Sequence, residues 1–136
     1  KGPEVPRSDF GDPTTTESYH LCVYDGATLV LATRAEAGGV CKRRPCWKSL
    51  RSGYAYGDPE RTPAGVAALT LRSGAAGKGV LQLRAAGASL ALPALETLDG
   101  PVLVQLKRGS GGGCWSTTFT PPFSKRDPKT FRDVSD

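Results

Sequence analysis

Residues 66–87, VAALTLRSGAAGKGVLQLRAAG, decide the fold class. On an extended backbone Leu69 and Leu71 point one way, and Thr70 and Arg72 the other. Leu81 and Leu83 repeat this against Gln82 and Arg84. Apolar side chains at period two describe strands with one buried and one wet face. The LTLR of 69–72 returns as LQLR at 81–84 across a glycine-bearing break, which reads as a β-meander.

The same signal extends in both directions. ASLALPAL (88–95) follows as a further apolar run. Upstream, YHLCVYDGATLVLATR (19–34) holds two apolar runs around Asp25-Gly26, a two-residue hairpin signal. CWKSLRSGYAYGD (46–58) places Tyr54 and Tyr56 on one face. PVLVQLKRG (101–109) directs Val102, Val104 and Leu106 inward, and CWSTTF (114–119) supplies the last strand. AEAGGV (35–40) and the alanines of 64–68 offer at most a turn of helix. About eight or nine short strands with one apolar face need a second sheet to cover it. The predicted fold is therefore an all-β antiparallel sandwich, with a partly closed barrel as the alternative. The 17 glycines and 11 prolines in 136 residues provide the turns.

One domain fits this length. Its predicted limits are 19–120, flanked by two extended arms. In residues 1–18 three prolines exclude a regular helix, and Thr14, Thr15 and Thr16 favour extended backbone. Residues 121–136 read the same way. Such arms can add a strand to a neighbour's open sheet edge, so self-association through them is expected. The chain holds no methionine and begins at Lys1, which is expected of a processed product or a piece of a longer chain. No apolar run approaches the ~18 residues of a membrane span. Four cysteines, an even number in a small chain, suit an oxidising compartment, so a secreted or cell-surface location is expected.

The basic charge concentrates around CKRRPCWKSL (41–50). The net charge is +5, and Lys42, Arg43, Arg44, Lys48 and Arg51 equal that excess with no acid between them. A zinc site on Cys41, Cys46, Cys22 and Cys114 is disfavoured, because no knuckle is repeated. A redox pair would have a tighter spacing and lead into a helix. Disulfides are the preferred reading. Cys41–Cys46 would close a small loop, and Cys22–Cys114 would tie the first core strand to the last. That long bridge, closing roughly 90 residues, would stabilise by about 4 kcal/mol in the chain-entropy account. The rival is Cys22–Cys41 with Cys46–Cys114, favoured by a CW dipeptide at both 46–47 and 114–115.

No catalytic set assembles. His20, the one histidine, has no carboxylate or serine in a nucleophile motif beside it. Asp25, Asp58, Glu60, Glu96 and Asp99 all stand in turn-like contexts, where carboxylates are common for structural reasons. GSGGG (109–113) lacks the Lys-Ser/Thr of a phosphate loop and reads as a hairpin tip. Neither enzyme activity, cofactor nor metal is expected. A rigid loop carrying Lys42, Arg43, Arg44, Lys48 and Arg51 could hold an anion. Trp115, Tyr54 and Tyr56 could form a platform for stacking on sugar faces, as other sandwich modules do. A glycan or anionic polymer is thus an expected partner, and nucleic acid is not.

LCVYDG, CKRRPCWKSL, GYAYGD (53–58), TPAG (62–65), GKGVLQLRAAG (77–87) and the final CW together resemble a family. It is an uncharacterised β-domain found at the C-terminal ends of large secreted or surface proteins of bacteria. The resemblance spans about residues 19–115 and brings no catalytic residues. It implies a secreted β-domain. Where that family has a lysine-rich strand, this chain is alanine-rich, which removes the expectation of a basic sheet face. These readings converge on a non-catalytic extracellular structural or assembly module, such as a subunit of a surface layer or filament. The alternative is a carbohydrate- or polyanion-binding module.

Overall fold

The computed structural model describes residues 2–128 and 130–132. In chain order, β1 (Tyr19–Asp25) and β2 (Thr28–Ala35) form a hairpin, and β3 (Val40–Cys41) and β4 (Arg44–Pro45) a miniature one. A four-strand meander follows: β5 (Trp47–Leu50), β6 (Gly53–Gly57), β7 (Val66–Arg72) and β8 (Val80–Ala85). The chain then returns to the first sheet as β9 (Val102–Arg108) and β10 (Cys114–Phe119), and ends in β11 (Lys125–Asp127) and β12 (Thr130–Arg132). One sheet has the order β10-β9-β1-β2 and the other β5-β6-β7-β8, all antiparallel. They pack face to face as a sandwich, without barrel closure.

Alternation determines what faces inward. Leu69 pairs with Leu83 and Leu71 with Leu81, so the meander read from sequence is in the expected register. Leu69, Leu71 and Val66 are fully buried, against Tyr19, Leu21, Ala35, Leu106 and Trp115 of the first sheet. Through the middle runs a row of rings: Phe10 to Trp115 at 5.7 Å, Trp115 to Tyr19 at 6.3 Å, Tyr19 to Trp47 at 5.8 Å, and Trp47 to Tyr56 at 5.2 Å. Each such pair contributes about 0.5–1.5 kcal/mol beyond area burial. The buried polar tips are satisfied: the Tyr19 hydroxyl donates to Phe10 O at 2.7 Å, and Trp47 Nε1 to Glu36 O at 2.8 Å.

Within the described residues, neither predicted arm is free. The N-terminal segment is extended at Val5, but Val5 exchanges hydrogen bonds with Gly74 at 2.9 and 3.0 Å. A 3-10 turn at Arg7–Phe10 then buries Phe10 completely. Arg108 latches this segment down, donating to Asp9 O at 3.0 Å and to Glu17 Oε2 at 2.7 Å. Ser110 N and Oγ complete the carboxylate's shell at 3.0 and 2.9 Å. In the C-terminal stretch, β11 and β12 form a hairpin whose turn is held by Thr130 N donating to Asp127 Oδ1 at 2.8 Å. Phe131 packs on Phe123 and Phe119, rings at 4.8 and 6.3 Å. Of the predicted arms, residue 1 and residues 129 and 133–136 lie outside the described residues.

Three local expectations change. ASLALPAL is not a strand: Pro93 removes a ladder donor, and the segment crosses between sheets with Leu90 buried and Leu92 exposed before a short 3-10 turn at Leu95–Thr97. The β1–β2 turn falls one residue late, on Gly26-Ala27, because Asp25 pairs with Thr28. The Asp25 carboxylate accepts from Gly100 N at 2.8 Å, a structural use. The AEAGGV and 64–68 segments contain no helix, since Gly38 and Gly39 adopt left-handed backbone and residues 66–68 extend.

Two predictions follow from this architecture. Gly53 lies so close to β7 that a Cβ would sit 1.8 Å from Leu71 O. Gly53→Ala should cost about 4 kcal/mol or prevent folding; a chemical denaturation midpoint unchanged from wild type would refute the contact. Burial pushes the Glu17 carboxyl's pKa up, but hydrogen bonds from Ser110 and Arg108 outweigh it and leave the pKa below the ordinary 4.5. A group with a depressed folded pKa stabilises fully above its unfolded value and ceases to as pH falls through the folded one. The thermal-midpoint gap between wild type and Glu17→Gln should therefore be widest near neutrality and close as pH drops below about 4.5. A pH-independent gap would show that the charge contributes nothing.

Candidate anion-binding site

The site begins with Trp47. Its indole fills the core, so the alternation of β5 sends Lys48 to the outer face of the second sheet. Immediately before it, Cys41 and Cys46 are bridged, with Cα atoms 4.9 Å apart. Between them β3 and β4 pair Val40 with Pro45 and Cys41 with Arg44, leaving Lys42-Arg43 as a two-residue turn. Both turn residues are left-handed, with φ of 50° and 69°. That is the pattern of a type I′ hairpin, whose central positions normally belong to Asn-Gly. Here a lysine and an arginine occupy them, each at a cost of about 1–2 kcal/mol, inside a loop the disulfide keeps closed.

A second loop faces the first. The Asp58 side chain is buried and spends its oxygens on the loop itself: Oδ1 accepts from Glu60 N at 3.0 Å, and Oδ2 from Thr62 N at 2.7 Å and Thr62 Oγ1 at 3.3 Å. This wrap holds Arg61 at φ 55° with its side chain exposed. Lys42, Arg43 and Arg61 are the three non-glycine residues with left-handed backbone among the described residues, and all three are cations bordering one groove. Strained backbone of this kind is retained where surrounding structure over-determines it, commonly at sites of function.

The groove is open and measures about 1220 Å³. Its floor is made of small residues, Ala55 and Gly57 of β6 and Ala67 and Ala68 of β7. A register shift between Val66 and Ala68 lets both alanines reach the groove. Arg84 closes the far wall from β8, opposite Ala68. Among the described residues, ion pairs engage Arg34, Arg108, Lys125 and Arg126, none of them at the groove. Residues 40–85 hold nine Lys and Arg against two acids, a local charge of +7, which leaves −2 for the remainder of a chain of net +5. The excess positive charge of the molecule thus lies in the segment that builds this sheet, although the alanine-rich strand had weakened the case for a basic face.

Lys42, Arg43, Arg44 and Lys48 line the groove as sequence suggested. Arg51 is exposed in the β5–β6 turn at the other end of the same sheet, away from it. Arg61 and Arg84 were not legible as members of the site. Their signal was the complete absence of acids between 61 and 95. The proposed stacking platform does not exist. Tyr54 and Tyr56 face inward with Trp47, each 6% exposed, and the Arg7 guanidinium covers the Tyr54 ring at 4.4 Å. Trp115 is half-buried against Phe10 and Tyr19. His20 lies on the outer face of the first sheet beside Ser18 Oγ at 3.2 Å.

The long bridge is overturned, since Cys22 and Cys114 are free, and the Cys41–Cys46 bridge excludes the rival pairing as well. Cys22 pairs across from Gln105 and Cys114 from Lys107, so β9 stands between them. Two strand spacings are roughly 9.5 Å, beyond the Cα separation a disulfide spans.

Compared with known proteins, the chain matches no family model, no curated protein and no solved structure. No helix among the described residues is long and apolar enough to cross a membrane. The cysteine assignment predicts that denatured, unreduced chain exposes two reactive thiols, and reduced chain four. Fewer than two before reduction would restore a second bridge.

Proposed function

We propose that this chain is a non-catalytic extracellular module that binds an anionic polymer on the outer face of its second sheet. The observation that carries the reading is the groove: six exposed cations on opposing walls, three of them on left-handed backbone, against two acids, the buried Asp58 and the exposed Glu60. Unpaired exposed charge of one sign raises the local concentration of its opposite and steers encounter. The bridged hairpin supports an oxidising, secreted or cell-surface location, and the motif resemblance to C-terminal domains of bacterial surface proteins points the same way. Self-association through the terminal arms loses its main support, since Val5 and Phe10 are engaged in their own domain. A structural role is kept in a narrower form, as a rigid scaffold that presents the basic face.

Retention on a dextran sulfate resin tests the proposal. Wild type should be held at low ionic strength and released as salt screens the contact over a Debye length of about 10 Å at 0.1 M. Arg43→Ala with Arg44→Ala should elute at markedly lower salt, with an unchanged thermal midpoint. Wild type passing straight through at low salt, or the double variant eluting with wild type, overturns it.

A further inference from the structure

Resting on that reading, we infer that the polymer is a linear sulfated polysaccharide lying lengthwise along β6 and β7. The positive face does not stop at the groove. At the opposite end of the same sheet, Arg72 projects outward from β7 beside Gly53, and Arg51 stands in the adjoining turn, both exposed. Lys48 lies between the two ends, opposite Ala55. Along β6, the four steps from Gly57 to Gly53 cover about 14 Å at strand rise, before either flanking loop is added. Cations at both ends of such a track suit a chain of repeating charges. A single small anion would use one end only.

The track selects among polyanions. Its central strip is Gly53, Ala55 and Gly57 on β6, with Ala68 and Thr70 beside them on β7, so nothing rises between the cationic edges. Proteins that hold single-stranded nucleic acid set exposed aromatic rings along the path to stack the bases. Here the sheet's rings, Trp47, Tyr54 and Tyr56, are all buried on the other side. What remains is recognition of charge on a backbone whose rings lie flat over small side chains. Arginine dominates the cations, and its fork grips a multi-oxygen anion through parallel N–H donors while being weakly hydrated itself. Densely sulfated sugar chains supply that ligand.

Isothermal titration of the intact chain with heparin-derived tetrasaccharide, heparin-derived decasaccharide and a charge-matched oligothymidylate tests this. The decasaccharide should bind about tenfold more tightly than either other probe, a difference of one decade in Kd. Arg51→Ala with Arg72→Ala should remove that gain while leaving the tetrasaccharide affinity unchanged. Oligothymidylate binding as tightly as the decasaccharide would overturn the polysaccharide assignment and leave the basic groove standing. Equal affinity for both saccharides, with the Arg51 and Arg72 variant silent, would overturn the lengthwise placement. Failure of all three probes would remove the underlying groove reading itself.

Discussion

Everything on the outer face depends on where Trp47 goes. Its ring stands between Tyr19 of one sheet and Tyr56 of the other, and its indole N–H is satisfied by Glu36 O. A residue so placed fixes both the register and the facing of β5. Once it points inward, Lys48 must point outward. Cys46, one step earlier, must hold the hairpin at the sheet's edge, where its amide donates to Gly39 O at 3.1 Å and Gly57 donates back to Cys46 O at 2.9 Å. The ring row is thus more than filling for the core. It transmits the position of the first sheet to the loop that carries the charge.

Electrostatics then follow from composition by segment. The buried acids of the molecule are already committed: Glu17 to the Arg108 guanidinium and to the amide and hydroxyl of Ser110, and Asp58 to its own loop. At the groove Asp58 therefore serves backbone amides, which leaves the exposed Glu60 as the one outward acid facing six cations. A surface assembled this way is costly to itself through like-charge repulsion. That repulsion is relieved when a counter-charged chain is bound.

Much of this was legible beforehand, and the exceptions have physical causes. Period two exposed β7, β8 and β9 with the correct inward residues, because an amphipathic strand must declare its face one residue at a time. Period two also put Tyr54 and Tyr56 on one face, but which face they take depends on the β5–β6 pairing that sets Tyr56 opposite the buried Trp47. The 41–46 bridge was the preferred pairing, though the sequence left a rival open, and the structure forms it. The second bridge was not refutable from sequence, since strand order placed β9 between Cys22 and Cys114 by a long-range pairing that no local signal encodes. Arg61 and Arg84 joined the site for the same reason: the meander brings residues 19 and 42 positions from Lys42 to the same groove only at the level of the sheet. The ends deceived because proline and threonine exclude helix without excluding packing. Val5 and Phe10 are the apolar residues of 1–18 that join the core.

The left-handed cations also say how this surface would respond to selection. At Lys42, Arg43 and Arg61 the backbone geometry suits glycine better than the residue present, by about 1 kcal/mol or more at each. Replacement by glycine there would tighten the fold while erasing charge. A lineage screened for heat resistance alone would drift toward glycine at these three positions and lose the groove's walls first. Lysine and arginine at these positions are what an anion-binding demand, if the proposed function holds, would set against stability.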